Sequence, residues 1–321
     1  MTRNGAKPIR LGISSCLLGN EVRFDGGHKK DEFLTRQFSR YVEWVPMCPE
    51  MEIGLGVPRE SLRLVAMNEQ IRLVAPRSGL DHTEKMQRWT RALTSSLVES
   101  GICGFVLKKD SPSCGLDRVR VYHDKGLLHR KGQGLFASGL ADRFPGLPME
   151  EEGRLNDPRL RENFVSQVFA YRRWLDLLQD GLTRARIQRF HAQHKFLLLA
   201  HEQVGSRELG NLLGRSDRTL SLDQLGRAYF TKFSQVMRRT PTRRNHMNVL
   251  QHLTGYFSPR LSVGDRTELT EILHAYHQDR LPLIVPVTLI RHYVRKLEVE
   301  YLQDQFYLDP HPDELRLLNQ L

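Results

Sequence analysis

Three cysteines stand at positions that suit chemistry rather than packing. Cys16 lies in SSCLLG, Cys48 in MCPE and Cys114 in SPSCG, each beside the Gly or Pro residues that shape tight turns. Each cysteine follows a short apolar run with the composition of a β-strand. If these strands are parallel neighbours, their loops meet at the carboxyl edge of the sheet, where open α/β sheets bind ligands.

Three thiolates that converge in this way could bind either of two kinds of metal centre. Soft sulfur ligands suit an iron–sulfur cluster, and a four-iron cluster with three protein thiolates leaves one iron for a substrate. A three-cysteine zinc site with an open water position is the alternative metal site. The spacing is too wide for a zinc ribbon, and three unrelated small buried residues would show the same spacing. Cys103 lies inside a strand and is expected to be a core residue.

The elements that carry these cysteines alternate between β-like runs and helical patterns over residues 8–150. This alternation predicts an α/β N-terminal domain with a largely parallel, Rossmann-like sheet. Asp81 is predicted to cap a helix that reaches Ser100 and ends at Gly101. Helical spacing is also present at residues 32–39. The predicted strands are IRLGIS, VEWVPM, IRLVAP and ICGFVL.

Beyond about residue 150 the β signal nearly vanishes. The segment RFPGLPMEEEGRLNDPR, rich in Pro, Gly and acid, predicts an exposed connector. Asp157 and Pro158 then predict the cap and first turn of a helix that reaches Gln179. Five further segments with helical periodicity predict an all-α C-terminal domain of five or six helices. We predict domains of residues 1–158 and 159–321, and the helix at 158–179 fits either of them.

The net charge of +11 suggests an anionic partner such as a nucleic acid. Residues 172–244 hold 15 Lys and Arg against 6 Asp and Glu, so the excess is concentrated there. A basic soluble surface would have the same composition. Four arginines flank a Thr-Pro break and suit bidentate phosphate contacts. They are Arg238, Arg239, Arg243 and Arg244.

Other features are less specific. The sequence places His191, His194 and His201 on one helix face, where they suit hydrogen bonds between helices or contacts with RNA. Lys108 and Lys109 beside the third cysteine suit a phosphate contact or a solvated pair. The N-terminal residues lack an apolar signal region, and the longest apolar run is about half a membrane span. We therefore expect a cytoplasmic protein without a membrane partner.

Three blocks in the first half together resemble the TudS family of thiouracil desulfidases, over about residues 8–155. They are GISSCLLGNEVRFDGGHK, VPMCPEMEIGLGVPRE and GFVLKKDSPSCG. The resemblance implies a [4Fe-4S] cluster held by Cys16, Cys48 and Cys114, whose fourth iron takes the sulfur of a thiolated pyrimidine. It also implies catalytic roles for Glu50 and Ser113.

Blocks in the second half, over about residues 187–303, resemble a helical YbgA-type domain. They are FHAQHKFLLLAH, RRNHMNVLQHLTGYF and YHQDRLPLIVPVTLIRHYV. The fusion of the two domains resembles the RudS-type desulfidases. That resemblance implies conversion of 4-thiouridine in tRNA to uridine, with thiolated tRNA as the partner.

The chemistry implied for these residues is hydrolysis without electron transfer. Glu50 is two residues from a predicted ligand and is the candidate general base, and Ser113 is a candidate to bond the substrate or relay a proton. The alternatives are that Glu50 caps a helix and that Ser113 shapes a turn. Two other functions remain open: desulfurisation of free thiolated pyrimidines, and a non-catalytic, metal-bound nucleic-acid-binding protein.

Overall fold

The computed structural model describes residues 9–68, 70–123, 126–215 and 220–311. The chain divides into two units, Met1–Asn156 and Asp157–Leu321. The helix that begins at Pro158 belongs to the second unit. The first unit is α/β and the second is all helical, as the sequence predicted.

Two four-stranded sheets make up the described part of the first unit. Their strands are β1 (Ile9–Ser14), β2 (Val42–Met47), β3 (Arg63–Met67), β4 (Gln70–Val74), β5 (Ile102–Leu107), β6 (Val119–His123), β7 (Gly126–Gly132) and β8 (Met149–Glu151). The first sheet has the order β2-β1-β5-β8, and each of its strands is parallel to its neighbour. The three strands that precede the predicted cysteine ligands are therefore parallel neighbours.

The centre of this sheet is apolar. All six residues of β5 are buried, which is typical of a parallel strand covered on both faces. The ring of Phe105 lies where a side chain on Gly12 would stand, since a Cβ there would be 2.1 Å from the ring. Phe105 also makes an edge contact with Phe136, at 5.5 Å between ring centroids. Small and large side chains thus interlock across β1 and β5.

The second sheet has the order β4-β3-β6-β7 and is mixed. Strands β3 and β6 are parallel, while the β3/β4 and β6/β7 pairs are antiparallel. Of its four strands, the sequence pattern predicted β4. The other three carry charged residues, and none of them is apolar along its whole length as β5 is, so the sequence does not mark them as buried strands.

Three helices of the first unit are α1 (Pro49–Glu52), α2 (Thr83–Ser100) and α3 (Leu135–Arg143). Asp81 accepts a hydrogen bond from the Thr83 amide at 2.8 Å, which supports the predicted cap of α2. Gly101 follows α2 with a φ of 65°, as expected for a glycine that ends a helix. The helical spacing at residues 32–39 corresponds to a π-helical turn at Phe33–Gln37 and a 3-10 turn at Phe38–Arg40.

The second unit contains eight α-helices within the described residues. They are α4 (Pro158–Gln179), α5 (Arg184–His201), α6 (Gln203–Arg215), α7 (Leu222–Met237), α8 (Arg243–Gly255), α9 (Val263–His277), α10 (Ile284–Lys296) and α11 (Glu300–Gln303). The predicted cap at Asp157 is confirmed, because its side chain accepts from the amides of Arg159 and Leu160.

The expected five or six helices are too few. The sequence pattern did not predict helix α6, because this helix contains three glycines, which are poor helix formers. The last predicted segment divides into α10 and the short α11. No helix in the described ranges has both the length and the apolar character needed to cross a membrane.

Candidate active site

The three cysteines predicted as ligands line one cavity in the first unit. Cys16 lies in the 3-10 turn Ser15–Leu18 directly after β1, and Cys48 is the N-cap of α1 directly after β2. Cys114 lies in the loop that follows β5. The cavity has a volume of about 470 Å³ and is also lined by Glu50. The convergence expected from parallel strands is thus observed.

Local hydrogen bonds hold each cysteine loop. The Cys16 carbonyl accepts from the amides of Gly19 at 3.3 Å and Lys29 at 2.9 Å. The Cys48 carbonyl accepts from the first turn of α1. The Cys114 amide donates to the Ser111 hydroxyl at 3.0 Å. These bonds fix the backbone at the cavity without using the thiols.

Two buried carboxylates anchor the third loop from outside the cavity. Glu151 accepts from the Leu116 amide at 2.8 Å, and Glu152 accepts from the Lys109 amide at 2.8 Å. Glu152 also forms an ion pair with the Lys108 ammonium group. The predicted exposed connector is therefore wrong at this point. The segment includes β8, and Glu151 and Glu152 are buried, where they accept hydrogen bonds from the backbone of the cysteine loop.

Burial raises the pKa of all three thiols. The pKa of Cys16 rises to about 11, and the nearby Cys48 thiol opposes its ionisation further, while the charges of Lys108 and Arg23 favour it. Burial also raises the pKa of Cys114, with added opposition from Glu50 and the other two thiols. A bound metal centre would supply the positive charge that thiolates need here.

The three thiols do not surround a single ion. Across the part of the chain that the structure describes, no three His, Cys, Asp or Glu side chains converge tightly enough to hold one metal ion. A four-iron cluster spans several ångströms, so its thiolates stand further apart than the ligands of one tetrahedral ion. The donor set, three soft sulfurs around a cavity, fits such a cluster.

Glu50 joins two other side chains at the cavity wall. One of its oxygens accepts from Arg59 through Nη2 at 2.7 Å and Nε at 2.9 Å. The other oxygen accepts from the Ser113 hydroxyl at 2.9 Å. The Glu50 and Arg59 side chains are 14% and 6% exposed, so the pair is largely withdrawn from water. The carboxylate therefore bonds side chains at the cavity, although it stands in the first turn of α1.

Arg59 was not among the predicted site residues. Besides Glu50, its guanidinium donates to the carbonyls of Gly56 at 2.8 Å and Val22 at 2.9 Å. Arg59 belongs to the sequence block that contains Cys48, and its place in that block is the feature of the sequence that could have indicated a role at the site. No periodicity marks it, because it lies in a loop whose partners come from two separate segments.

Ser14 and Gly134 were also not predicted. The Ser14 hydroxyl accepts from the Lys108 amide at 2.9 Å and bonds the Cys114 side chain, so it connects the end of β1 to the third loop. Gly134 packs against the backbone of the same loop. A Cβ on it would lie 2.4 Å from the Ser113 carbonyl oxygen.

The four arginines predicted to bind RNA do not form one uniform set. Arg243 bonds the Tyr276 carbonyl and Asp279, and its guanidinium lies 4.7 Å from the Tyr276 ring centroid. Arg239 lies 3.8 Å from a carboxylate oxygen of Glu202. Arg238 follows α7, and Arg244 is exposed in the first turn of α8.

The three histidines of α5 make hydrogen bonds inside the helical unit. His191 bonds the Tyr229 hydroxyl at 3.2 Å, and His194 bonds the Phe190 carbonyl at 2.7 Å. His201 donates from Nδ1 to the Arg239 carbonyl at 2.6 Å. Burial lowers the pKa of His201 to about 4, so the ring is neutral at physiological pH. The expected hydrogen bonds between helices are observed for His191, which reaches α7, whereas His194 bonds within α5 and His201 bonds the segment after α7.

Comparison with known proteins agrees with this arrangement. Residues 11–152 match the 2-thiouracil desulfurase family, and residues 195–312 match a protein family of unknown function, DUF1722. YbbK of Bacillus subtilis (strain 168), an uncharacterized protein, is 31% identical over 109 residues, which are 32% of this chain and 71% of that protein. YbgA of Escherichia coli (strain K12), also uncharacterized, is 28% identical over 163 residues, which are 51% of this chain and 96% of that protein.

A solved structure is similar as well. The [4Fe-4S]-dependent thiouracil desulfidase TudS is 28% identical, with a match that covers 46% of this chain and 94% of that chain at a TM-score of 0.37. Through its first unit the chain belongs to the 2-thiouracil desulfurase family. It combines that domain with a YbgA-like helical domain, as the sequence blocks predicted.

Proposed function

We propose that this protein hydrolyses the thiocarbonyl group of 4-thiouridine in tRNA, with Cys16, Cys48 and Cys114 holding a [4Fe-4S] cluster. The observation that carries the proposal is the convergence of these thiols on a cavity beside the Glu50 carboxylate. The reaction consumes one water, replaces C=S by C=O and releases sulfide. No electrons are transferred, so no reductant is required.

The cluster is the group that fits this donor set. The name of TudS, to which the first unit is similar, also states that this enzyme depends on a [4Fe-4S] cluster. When bound through three thiolates, it offers an iron without a protein ligand as a soft Lewis acid for the thiocarbonyl sulfur.

We assign Glu50 as the general base for the attacking water. Its carboxylate can accept a proton from a water that attacks the ring carbon. Arg59 holds one oxygen of Glu50 through two hydrogen bonds, which limits the rotation of the carboxylate. The other oxygen bonds Ser113, so this oxygen and the Ser113 hydroxyl are the groups that exchange partners when substrate and water enter.

The assignment of tRNA as the substrate rests on the helical unit and on the charge distribution. The segment 172–244 carries an excess of nine positive charges, which suits a polyanion. A base within folded RNA must leave its stack before it can enter a cavity, at a cost of a few kcal/mol. Binding of the RNA backbone outside the cavity would offset that cost.

Anaerobic reconstitution followed by treatment of thiolated tRNA tests the proposal. Digestion of the tRNA and measurement of the ratio of 4-thiouridine to uridine should show conversion, with sulfide released in equal amount. The Cys48→Ala variant is the matched control and should convert none. Full cluster loading without any conversion of the base would overturn the proposal.

The family match also favours a second substrate class, free thiolated pyrimidines. The same reconstituted protein should then be offered 2-thiouracil and 4-thiouracil. Turnover of the free bases with no action on tRNA would assign the activity to small molecules. One equivalent of zinc without iron in the anaerobically purified protein would instead favour a non-catalytic metal-bound protein.

A further inference from the structure

The cavity wall carries more positive than negative charge. Five cations line it against two carboxylates, Glu50 and Asp110. The cations are Arg23, Lys29, Arg59, Lys108 and Lys109. A thiolated pyrimidine ring is flat and neutral, so the ring itself does not account for this excess. The charges of Lys108 and Arg23 favour the Cys16 thiolate, and the cations that neither a carboxylate nor a thiolate neutralises suit an anionic group on the substrate.

Three of these cations have carboxylate partners. Arg59 pairs with Glu50 and Lys108 with Glu152, both in largely buried positions. Arg23 lies 3.4 Å from a carboxylate oxygen of Asp25. Within the described ranges, Lys29 and Lys109 have no carboxylate within ion-pair distance, and both are exposed. These two ammonium groups are therefore the ones available to a ligand.

The backbone of both lysines is held at the site. The Lys29 amide bonds the Cys16 carbonyl at 2.9 Å, and the Lys109 amide bonds Glu152 at 2.8 Å. The Lys109 side chain also passes close to Gly153, where a Cβ would lie 2.9 Å from its Cδ. Each lysine is thus attached to a different cysteine loop, and the two extend from separate parts of the cavity wall.

An exposed aromatic ring lines the same cavity. Phe24 is 39% exposed, and the Arg23 guanidinium lies 5.4 Å from its ring centroid. A tight turn holds it, in which the Gly26 amide bonds the Arg23 carbonyl at 3.0 Å. The Phe24 carbonyl accepts from the Arg59 amide at 2.9 Å, which connects this turn to the residue that holds Glu50. A large apolar ring that is held in water beside a cavity is suited to stacking on a base.

We infer that the mouth of the cavity is a binding site for an RNA strand, in which Lys29 and Lys109 contact the phosphates of the thiolated nucleotide and Phe24 stacks on a neighbouring base. The inference rests on the proposed function, because it assumes that a thiolated pyrimidine enters the cavity. It adds that the α/β unit itself selects nucleotides over free bases. Phosphate contacts position the strand and stacking holds it, while the ring reaches the thiols.

Three substrates of increasing size test this inference on the full-length reconstituted protein. They are the 4-thiouridine nucleoside, its 5′-monophosphate and a three-nucleotide RNA with 4-thiouridine at the centre. For the Lys29→Gln/Lys109→Gln variant we expect KM to rise about tenfold for both phosphate-bearing substrates, with little change for the nucleoside. For Phe24→Leu we expect KM to rise about tenfold for the trinucleotide and to stay nearly constant for the monophosphate.

Lys131→Gln is the matched control, since Lys131 is an exposed lysine of β7 in the same unit and does not line the cavity. It should leave all three KM values unchanged. If the double lysine variant keeps the KM of the parent for the monophosphate and the trinucleotide, the lysines are solvated surface residues and the inference is wrong. If Phe24→Leu matches the parent on the trinucleotide, the stacking role is wrong.

A binding measurement separates this inference from the proposed function. Titration of the protein with an unthiolated uridine trinucleotide, over a range of salt, requires no turnover. The double lysine variant should bind more weakly and show a smaller dependence on salt. If the cluster-loaded parent converts none of the three substrates while this binding contrast is observed, the proposed reaction is wrong and the inferred RNA site still stands. If the substrates are converted but the double lysine variant binds the trinucleotide like the parent, the proposed reaction stands and the inferred RNA site is wrong.

Discussion

In the α/β unit, thiol, carboxylate, hydroxyl and ammonium groups line a cavity of about 470 Å³ at the carboxyl edge of a parallel sheet. In the helical unit, several arginines instead bond backbone carbonyls of the unit itself. Arg173 bonds the Pro310 carbonyl, Arg184 the Leu220 carbonyl and Arg243 the Tyr276 carbonyl. The cavity of the helical unit that His201 and Arg243 line has a volume of about 90 Å³.

This difference shows that net charge can indicate the class of a partner, but it does not identify the side chains that contact that partner. The helical unit holds the segment with the largest positive excess, yet several of its arginines satisfy carbonyl groups inside the unit. In the α/β unit, two lysines without carboxylate partners among the described residues stand beside three thiols. What distinguishes the regions is whether the polar groups already have partners.

The largest expected effect is the loss of the predicted ligands. Cys16→Ala, Cys48→Ala or Cys114→Ala should each abolish iron retention and desulfidase activity, because each removes one thiolate of three. Cys103 is fully buried in β5 and serves as the control, since Cys103→Ala should retain iron and lose some stability. Loss of the cluster in Cys103→Ala, with retention in one of the other three, would show that the ligand set is wrong.

The next effect concerns the carboxylate at the cavity. Glu50→Gln should lower kcat by about 100-fold or more, because a neutral amide does not accept the proton of water. Iron content and thermal stability should stay near those of the parent. Anaerobic single-turnover rates with matched cluster loading provide the measurement. A normal rate in this variant would remove Glu50 from the role of base.

Arg59 should act through Glu50 rather than on the substrate. Arg59→Met leaves a largely buried carboxylate without its cation and should destabilise the unit by about 3–5 kcal/mol. The double variant Arg59→Met/Glu50→Gln should recover much of the lost melting temperature without recovering kcat. Equal melting temperatures in the single and double variants would mean that the pair contributes only through packing.

A close backbone contact gives a fourth test of the site. Gly134→Ala would place a Cβ 2.4 Å from the Ser113 carbonyl oxygen and 2.8 Å from the Cys114 nitrogen. We expect a loss of about 1–3 kcal/mol in stability together with lower iron content, because the cysteine loop must move. Gly214 of α6 has open space around it, so Gly214→Ala is the control and should not lower the melting temperature. Normal iron content in Gly134→Ala would show that the loop adapts.

The helical unit should respond to pH through its buried histidines. Burial lowers the pKa of His201 to about 4, and burial together with the charge of Arg173 lowers that of His194. The folded state therefore disfavours their protonation, so this stability is present above pH 6.5 and is lost as the pH falls towards 4. At pH 5.5 the loss is about 1.4 kcal/mol for a histidine shifted as far as His201.

Calorimetry of the parent and of His201→Asn checks this prediction. Asn offers an amide donor for the Arg239 carbonyl and does not titrate in this range. The difference in melting temperature between the two proteins should therefore shrink or reverse between pH 7.5 and 5.5. A constant difference over that range would show that His201 is not the acid-sensitive group.

The smallest effect separates two arginines that are neighbours in sequence. Arg244→Gln should weaken tRNA binding a few-fold and reduce the salt slope by about 0.7–0.9, with no change in melting temperature. Arg243→Gln should lower the melting temperature, because Arg243 bonds Tyr276 and Asp279. If Arg243→Gln weakens tRNA binding at unchanged stability, Arg243 contacts RNA instead of stabilising the helical unit. The contrast drawn between the two units would then be wrong.

The sequence by itself was sufficient for the class of the fold and for the place of the thiols. Strand and helix periodicities are local, so β1, β2, β5 and the caps at Asp81 and Asp157 could be predicted. Parallel neighbours bring their carboxyl ends to one edge, and the convergence of the three cysteines follows from that topology.

Tertiary structure decided which polar groups have partners. Glu152 anchors Lys108 from 44 residues away, and Arg59 joins the Val22 carbonyl from 37 residues away. Periodicity reports the face on which a residue lies, but it contains no information on which distant segment returns to meet it. For the same reason, the second sheet and the internal bonds of Arg243 emerged only from the folded chain, in which long-range contacts determine the environment of each charge.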